Sequence, residues 1–267
     1  MTSNASPTIY AFICGHANIP ASFILDGAEG MMRLPVPGYV VVHPEGNLVF
    51  DTGFNTRVHH DPDGDYVPEG FYATRDLQFT QEDEMARQMR EAGFDPDSVR
   101  FVANSHLHYD HAGGNDQFPA ATLILQEDEY RTALRQPDDF PGYRKKDFLT
   151  GQNKLLVNGV YDVFGDGTVI LEPTPGHTPG HQSLRITANG QTTFLTADAC
   201  YLEATLDSNA VPGIKSDEGQ FLASLAAIRA LRDEGAFVVF GHDPELWARL
   251  PKAPEPLVPV DMPASTN

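Results

Sequence analysis

The chain has 267 residues, of which 37 are acidic and 18 basic, and its net charge of −19 argues against a nucleic-acid partner because binding to phosphates needs basic patches. The same acidity disfavours an anionic membrane surface, and no apolar run approaches the roughly 18 residues of a membrane-spanning helix. Two cysteines, Cys14 and Cys200, exclude both a disulfide framework and a cysteine metal cluster.

The two ends of the chain indicate its compartment and domain organisation. Residues 1–7 are short and polar, without the basic and apolar regions of a signal peptide, so we expect a soluble protein of the cytoplasm. We predict a single domain over residues 1–250, because candidate metal ligands far apart in sequence must meet in one site. Five prolines predict an irregular tail over residues 251–267 that leaves the core.

Apolar segments between turn residues predict the elements in chain order. Residues 15–38, rich in glycine and proline, are predicted to be irregular, and residues 54–80 to form a long loop that is functional or disordered. Thr80 is the predicted N-cap of a helix that buries Met85 and Met89 and ends at Gly93. The predicted strands are residues 8–14, 39–42, 48–50, 99–103, 123–125, 168–171, 183–187, 192–196 and 237–240, and two further helices are predicted over residues 127–135 and 216–234.

A dense cluster of metal-binding residue types follows the predicted strand over residues 99–103. His106, His108, Asp110 and His111 lie within six residues. Imidazole nitrogens and carboxylate oxygens suit zinc and similar divalent ions. Four such groups are too many for one tetrahedral ion, because adjacent side chains cannot all converge on one point. The cluster therefore predicts two neighbouring ions.

Three isolated residues downstream complete the predicted site. His177, Asp198 and His242 each follow or interrupt an apolar, strand-like run. Such strand ends are where sites of α/β proteins are commonly built. We expect all three to join the cluster.

The pattern His-x-His-x-Asp-His, followed by His, Asp and His, resembles the metallo-β-lactamase superfamily of hydrolases from about Ile9 to about Leu250. The resemblance implies a mixed α/β (α+β) fold, an αββα sandwich, with a binuclear metal site at one edge of the two sheets. It also implies that Asp51 lies beneath the site as a partner of a metal-bound histidine, and that His181 at most supports the ligands.

We assign one ion to His106, His108 and His177, the other to Asp110, His111 and His242, and expect Asp198 to bridge them with its two oxygens. Zinc is the expected metal, with iron, cobalt or manganese as alternatives. Two cations that hold one water lower its pKa from about 15.7 toward 7, so a bridging hydroxide becomes available to attack an acyl compound.

Finer motifs indicate the acyl compound. Residues 105–115, 174–184 and 198–201 resemble the N-acyl-homoserine lactonases. In that family a tyrosine three residues after the bridging aspartate binds the lactone, and Tyr201 stands there; Asp110 would transfer the proton to the leaving alkoxide. The implied activity is opening of the lactone ring, which silences quorum-sensing signals, and relatives suggest a homodimer. We hypothesise that an acyl-chain pocket is formed by Phe71, Tyr72, Phe79 and Phe140.

Other functions remain open at this point. Another lactonase or esterase, or a glyoxalase-II-type thioester hydrolase, would use the same ligands, although basic residues for a glutathione carboxylate are not obvious. The Asp110-His111 pair and Asp198 fit dimetal hydrolases better than antibiotic-cleaving enzymes. A redox or regulatory metal protein is the alternative from another class; redox relatives usually carry a carboxylate where this chain has His108, and a flavin domain is absent.

Overall fold

In the computed structural model, the described residues are 6–25, 27–61, 66, 75–138, 140 and 142–260. Within this part of the chain, two β-sheets pack against each other, with strand orders β4-β1-β2-β3-β5-β6-β7 and β12-β11-β10-β9-β8. The strands are β1 Thr8–Pro20, β2 Met31–Val42, β3 Asn47–Phe50, β4 Asp76–Gln78, β5 Val99–Ala103, β6 Thr122–Gln126, β7 Lys154–Val157, β8 Tyr161–Asp162, β9 Val169–Pro173, β10 Gln182–Ala188, β11 Gln191–Leu195 and β12 Phe237–Val239.

Helices flank the sheets, so the expected αββα sandwich is confirmed. The α-helices are α1 Met85–Glu91, α2 Tyr109–Ala112, α3 Glu127–Arg135, α4 Lys145–Phe148, α5 Glu203–Ser208, α6 Glu218–Asp233 and α7 Pro244–Trp247. Short 3-10 turns cover Ala21–Phe23, Thr56–Val58, Gln81–Asp83, Pro96–Ser98, Asn115–Gln117 and Ala197–Ala199. No helix in the described ranges has the length and apolar character needed to cross a membrane.

The core lies on both faces of the first sheet, as β2 illustrates. Val41 packs inward with Leu184 and Phe194 of the second sheet, whereas Val40 packs outward against Met85 and Met89 of α1. Successive side chains of a strand point to opposite faces, so an apolar run in β2 is buried on both sides.

The local predictions for caps and turns are largely confirmed. Asn189 and Gly190 join β10 to β11 with φ values of 51° and 81°, as a tight two-residue hairpin requires. Thr80 forms a capping box with Asp83, but it caps the 3-10 turn Gln81–Asp83, and α1 begins only at Met85. The helix expected over residues 216–234 is α6.

The prediction that residues 15–38 are irregular is wrong. β1 continues to Pro20 with a bulge between Ile13 and His16, and β2 begins at Met31. Pro35 and Pro37 misled the prediction because proline cannot donate a ladder hydrogen bond. They are tolerated here because β3 pairs with residues 39–41 of β2, and beside the prolines no strand among the described residues pairs with that side of β2.

The tail also departs from its prediction over residues 251–260. The Ala253 N–H donates to the Ala11 carbonyl, and the Leu257 N–H donates to the Ile9 carbonyl. Leu257 is buried in the main core. This part of the tail therefore packs along β1 rather than leaving the core, and residues 261–267 lie outside the described residues.

Candidate metal centre

The connections that follow four strands bring their side chains together at one edge of the sandwich. β3 and β5 are parallel neighbours in one sheet, and β11 and β12 are parallel neighbours in the other, so within each pair the carboxyl ends lie side by side. The side chains brought together there are His106, His108, Asp110 and His111 after β5, His177 after β9, Asp198 after β11 and His242 after β12.

Three histidines converge on one point. The Nε2 atom of His177 lies 3.1 Å from Nε2 of His106 and 3.0 Å from Nδ1 of His108. Burial, together with the neighbouring imidazoles, lowers the pKa of His106 and His108 well below the ordinary value. The rings are therefore neutral, and neutral imidazole is the form that binds a metal ion.

A second group combines two histidines with an aspartate. Ligand atoms of Asp110, His111 and His242 all lie within 4.8 Å of one another. Burial disfavours the charged form of His111. The negative charges of Asp198, Asp110 and Asp51 outweigh this effect of burial, and the pKa of His111 is raised well above the ordinary value. Nε2 of His111 is buried and faces carboxylate oxygens of Asp198 at 3.2 Å and of Asp110 at 3.6 Å, a negative environment that would hold a divalent cation in place of the proton.

Asp198 stands between the two groups. Its Oδ1 lies 2.8 Å from Nε2 of His242 and 3.2 Å from Nε2 of His111. Its Oδ2 lies 3.2 Å from Nε2 of His177. One carboxylate oxygen faces each group, and this arrangement of nitrogen and oxygen donors fits two divalent ions.

The histidine atoms that face away from this point are also held in place. Asp51 accepts hydrogen bonds from the Ser105 N–H at 2.7 Å and the Ser105 hydroxyl at 2.8 Å, and its Oδ2 lies 2.9 Å from Nδ1 of His111. The predicted contact between Asp51 and a histidine of the site is present. Nδ1 of His242 donates to the Pro35 carbonyl at 2.7 Å. Such partners fix the tautomer and direct Nε2 into the site.

His181 supports the site without joining either group, as predicted. The backbone N–H of Asp198 donates to Nε2 of His181 at 3.1 Å. Nδ1 of the same ring contacts the Thr174 hydroxyl at 2.9 Å, so it carries the proton. His181 thereby fixes the backbone beneath Asp198.

Tyr201 lies against the ligand cluster. Its hydroxyl is 2.9 Å from Nδ1 of His177, and its ring stacks on His242 at a centroid distance of 5.6 Å. Burial and then the charge of Asp198 raise the pKa of Tyr201 well above the ordinary value. The hydroxyl therefore keeps its proton and can donate it.

A cavity of about 230 Å³ opens from this cluster into the protein. Phe140 lines the cavity, as predicted, whereas Phe79 stacks on Phe54 and does not line it. Phe71 and Tyr72 lie outside the described residues. Sequence reasoning missed the rest of the apolar wall, although alternating apolar residues in β2 were a usable signal. The cavity-lining residues are Ala17, Ile19, Phe23, Ile24, Leu34, Val36, Arg75, His108, Tyr109, Asp110, Phe140, Gly142, His177, Asp198, Tyr201, Ile214 and His242.

Comparisons with known proteins agree with this geometry. The family model of the metallo-β-lactamase superfamily matches residues 32–242. The N-acyl homoserine lactonase AttM of Rhizobium radiobacter is 38% identical over 234 residues, which cover 84% of this chain and 87% of the relative. The N-acyl homoserine lactonase AiiA of Bacillus thuringiensis subsp. kurstaki is 34% identical over 220 residues, covering 80% and 84%.

A solved structure is similar over nearly the whole chain. An N-acyl homoserine lactone hydrolase, with the product N-hexanoyl-L-homoserine bound at its catalytic metal centre, superposes with a TM-score of 0.83 at 29% identity. The superposition covers 94% of this chain and 99% of the other. The same sandwich therefore underlies both proteins.

Proposed function

Because this chain belongs to the metallo-β-lactamase superfamily, we propose that it is a metal-dependent N-acyl homoserine lactonase that hydrolyses the ester bond of the lactone ring. The observation that carries the proposal is one continuous cavity, with the two ligand groups at one end and an apolar wall at the other. An amphipathic molecule with a polar ring and an acyl chain matches that division. The product is an N-acyl-homoserine, and the biological effect is quorum quenching.

Within the proposal, His106, His108 and His177 hold one divalent ion, and Asp110, His111 and His242 hold the other. Asp198, with one carboxylate oxygen facing each group, would contribute to holding both ions. Zinc suits these nitrogen and oxygen donors best. When bound, the two ions polarise the ester carbonyl and lower the pKa of a water molecule so that it can attack near neutral pH.

Asp110 is the proposed proton carrier. It lines the cavity, its side chain is 20% exposed, and its Oδ2 lies 3.6 Å from Nε2 of His111. A carboxylate in this place can accept the proton of the attacking water and deliver it to the alkoxide that leaves when the ring opens.

Tyr201 is the proposed hydrogen-bond donor to the lactone carbonyl. Nε2 of His177 faces the ligand group, so Nδ1 carries the proton and shares it between the Tyr201 oxygen at 2.9 Å and the Ile214 carbonyl at 3.3 Å. The hydroxyl hydrogen of Tyr201 then faces the Asp198 side chain, to which it is hydrogen-bonded, and a lactone carbonyl that enters the cavity would take the place of that acceptor. A donor aimed at the carbonyl oxygen stabilises the charge that develops there during attack.

The test is a pH-stat assay of zinc-loaded protein on butanoyl-, octanoyl- and dodecanoyl-homoserine lactone. We expect proton release on these lactones, reduced about 100-fold or more in Asp110→Asn and Tyr201→Phe, in the range of a lost acid–base or oxyanion group. Tyr161→Phe and Asp128→Asn, both outside the cavity, are the matched controls. Turnover of thioesters or aryl esters without turnover of the lactones would mean that the same site acts on another class of substrate.

Two finer expectations belong to this proposal. The cytoplasm is the proposed compartment, in keeping with the two buried free thiols Cys14 and Cys200. A homodimer is the proposed assembly, and sedimentation equilibrium of the zinc-loaded protein tests it directly.

A further inference from the structure

A buried glutamate lies behind the three-histidine group. Glu129, in the first turn of α3, is only 1% exposed. Its carboxylate accepts hydrogen bonds from the Leu107 N–H at 2.9 Å, the Gly180 N–H at 3.2 Å and the Tyr143 hydroxyl at 3.1 Å. An ionised carboxylate only accepts hydrogen bonds, so all three donors are compatible with the charged form.

Each of the three donors belongs to a segment that carries or supports a histidine. Leu107 lies between His106 and His108 in the chain. Gly180 lies in the loop of His177, three residues farther on. Tyr143 forms a β-bridge with His108, and its ring meets the His108 ring edge-on at 4.7 Å. The Glu129 carboxylate is thus hydrogen-bonded to segments that carry or contact all three histidines.

The approach of the His177 loop to α3 is close enough to require glycine. A Cβ atom at position 180 would lie 2.1 Å from the backbone nitrogen of Glu129 and 2.6 Å from its Cα. Only a residue without a side chain lets the loop come this near. The contact is therefore built into both segments.

The placement of Glu129 is energetically unfavourable without these partners. Burial raises the pKa of Glu129 above its ordinary value, and hydrogen bonds, first from the Thr178 side chain and then from Leu107, Tyr143 and Gly180, oppose that shift. A buried carboxylate is tolerated when it is hydrogen-bonded. Glu129 does not line the cavity, so substrate contact does not explain it.

We propose that Glu129 is a positioning residue that holds the His106–His108 segment and the His177 loop at the spacing needed for one of the two divalent ions. The inference rests on the metal-binding part of the proposed function and is independent of the substrate. It predicts that loss of the carboxylate weakens one ion selectively, because no hydrogen bond of Glu129 in the described part of the chain reaches Pro35, which supports His242.

The variant Glu129→Gln tests this because it keeps the shape of the side chain. Its amide has only one oxygen, so its NH2 group would face a backbone N–H donor of Leu107 or Gly180. Metal-free protein is titrated with zinc against a chromophoric chelator, and both dissociation constants are measured. We expect one zinc ion to bind 10- to 100-fold more weakly, the range for residues that orient metal ligands, and the other to change less than about twofold. Asp128→Asn, an exposed change of the same charge on α3, should match the wild type.

His177→Ala and His242→Ala identify the affected ion, because each removes a ligand from one group. The cobalt-substituted spectrum of Glu129→Gln should resemble that of His177→Ala. If Glu129→Gln does not fold, Tyr143→Phe removes one of the three contacts and should weaken the same ion by a smaller factor.

Three outcomes separate this inference from the proposed function. Unchanged affinity for both ions, or equal weakening of both in a folded protein, overturns the role of Glu129 even if lactones are hydrolysed. Weaker binding of one zinc ion in Glu129→Gln, together with a wild-type protein that does not hydrolyse lactones, supports the role of Glu129 and overturns the proposed substrate. A wild-type protein that binds no zinc overturns both.

Discussion

The two ends of the cavity are held together by different forces. At the metal-ligand end, four of the five histidines have a second, directional partner in the described part of the chain, such as Asp51 for His111 and the Pro35 carbonyl for His242. At the apolar end, Ile19, Phe23 and their neighbours meet the cavity without such bonds to define their positions. The ligand end is specified atom by atom, and the apolar end mainly by shape.

This difference teaches which changes should alter chemistry and which should alter selection of the substrate. Directional contacts lose their function when one atom is exchanged, because the group left behind is buried and unpaired. Dispersion contacts lose stabilisation in proportion to the area removed. Substitutions at the two ends should therefore differ in size and in their dependence on acyl-chain length.

The largest effect is expected for Asp198→Asn, because this carboxylate faces both ligand groups. The bound zinc should fall from two ions to one or fewer, and kcat/KM on octanoyl-homoserine lactone should fall by about 10³-fold or more, since a metal ion supplies several kcal/mol of stabilisation to the transition state. Metal analysis and the pH-stat assay measure both. Asp97→Asn, an exposed aspartate, is the control; full activity with fewer than two ions would refute the shared role of Asp198.

A smaller loss is expected for Asp51→Asn, which removes a charge from the partner of His111. Residues that orient metal ligands typically change metal affinity or activity by 10- to 100-fold, and we expect a loss in this range. Added zinc should restore part of the activity of Asp51→Asn but none of that of Asp198→Asn. An identical response of the two variants to zinc would mean that Asp51 acts on the metal in another way.

At the apolar end, Phe23→Ala should change selectivity rather than chemistry. Each methylene group that is no longer buried costs about 0.8 kcal/mol, so kcat/KM for the dodecanoyl substrate should fall about tenfold and that for the butanoyl substrate less than about threefold. Val160→Ala, at a position 67% exposed, is the control. Equal losses on both substrates would show that Phe23 does not contact the acyl chain.

The smallest effect on catalysis is expected for Asp147→Asn, which lies outside both ends of the cavity. Tyr66 donates its hydroxyl to the two oxygens of Asp147 at 2.8 and 2.9 Å. Burial raises the pKa of Asp147 from 3.8 to about 8, so folding favours the protonated form. The stability from this group is complete below the unfolded pKa and is lost as the pH rises through about 8.

Urea unfolding at pH 6 and pH 9 measures this dependence. The free energy of unfolding of the wild type should fall more over this interval than that of Asp147→Asn, whose amide does not titrate. Activity at pH 7 should agree within about twofold. Parallel pH dependence in the two proteins would assign the alkaline loss of stability to other groups.

The ligand end was largely predictable from sequence because its signals are local. His106, His108, Asp110 and His111 are crowded into one strand-to-helix connection, and few roles other than metal binding explain that crowding. Their gathering with His177, Asp198 and His242 followed from the rule that sites form at strand ends. Asp51 could be placed only through the resemblance to a family.

The apolar end could not be predicted in the same way. Ile19 and Leu34 lie in the extended parts of β1 and β2. Glycine and proline in these segments led to the prediction of a loop, whereas pairing between the two strands makes them β-structure. Phe79 is aromatic and shares a cluster with the cavity-lining Val36 and Tyr109, yet it stacks on Phe54 and does not line the cavity. Composition identifies apolar side chains, whereas tertiary packing decides which of them face a cavity.

The tail that returns along β1 bears on how the protein behaves in a crowded solution. In the described part of the chain, β4 pairs only with residues 16–18 of β1, so the outer carbonyls of Ile9 and Ala11 would otherwise present an open strand edge. Open edges invite strands of other molecules and promote aggregation. The backbone N–H groups of Ala253 and Leu257 bind these carbonyls. The C-terminal segment thus covers this edge and prevents it from pairing with a strand of another molecule.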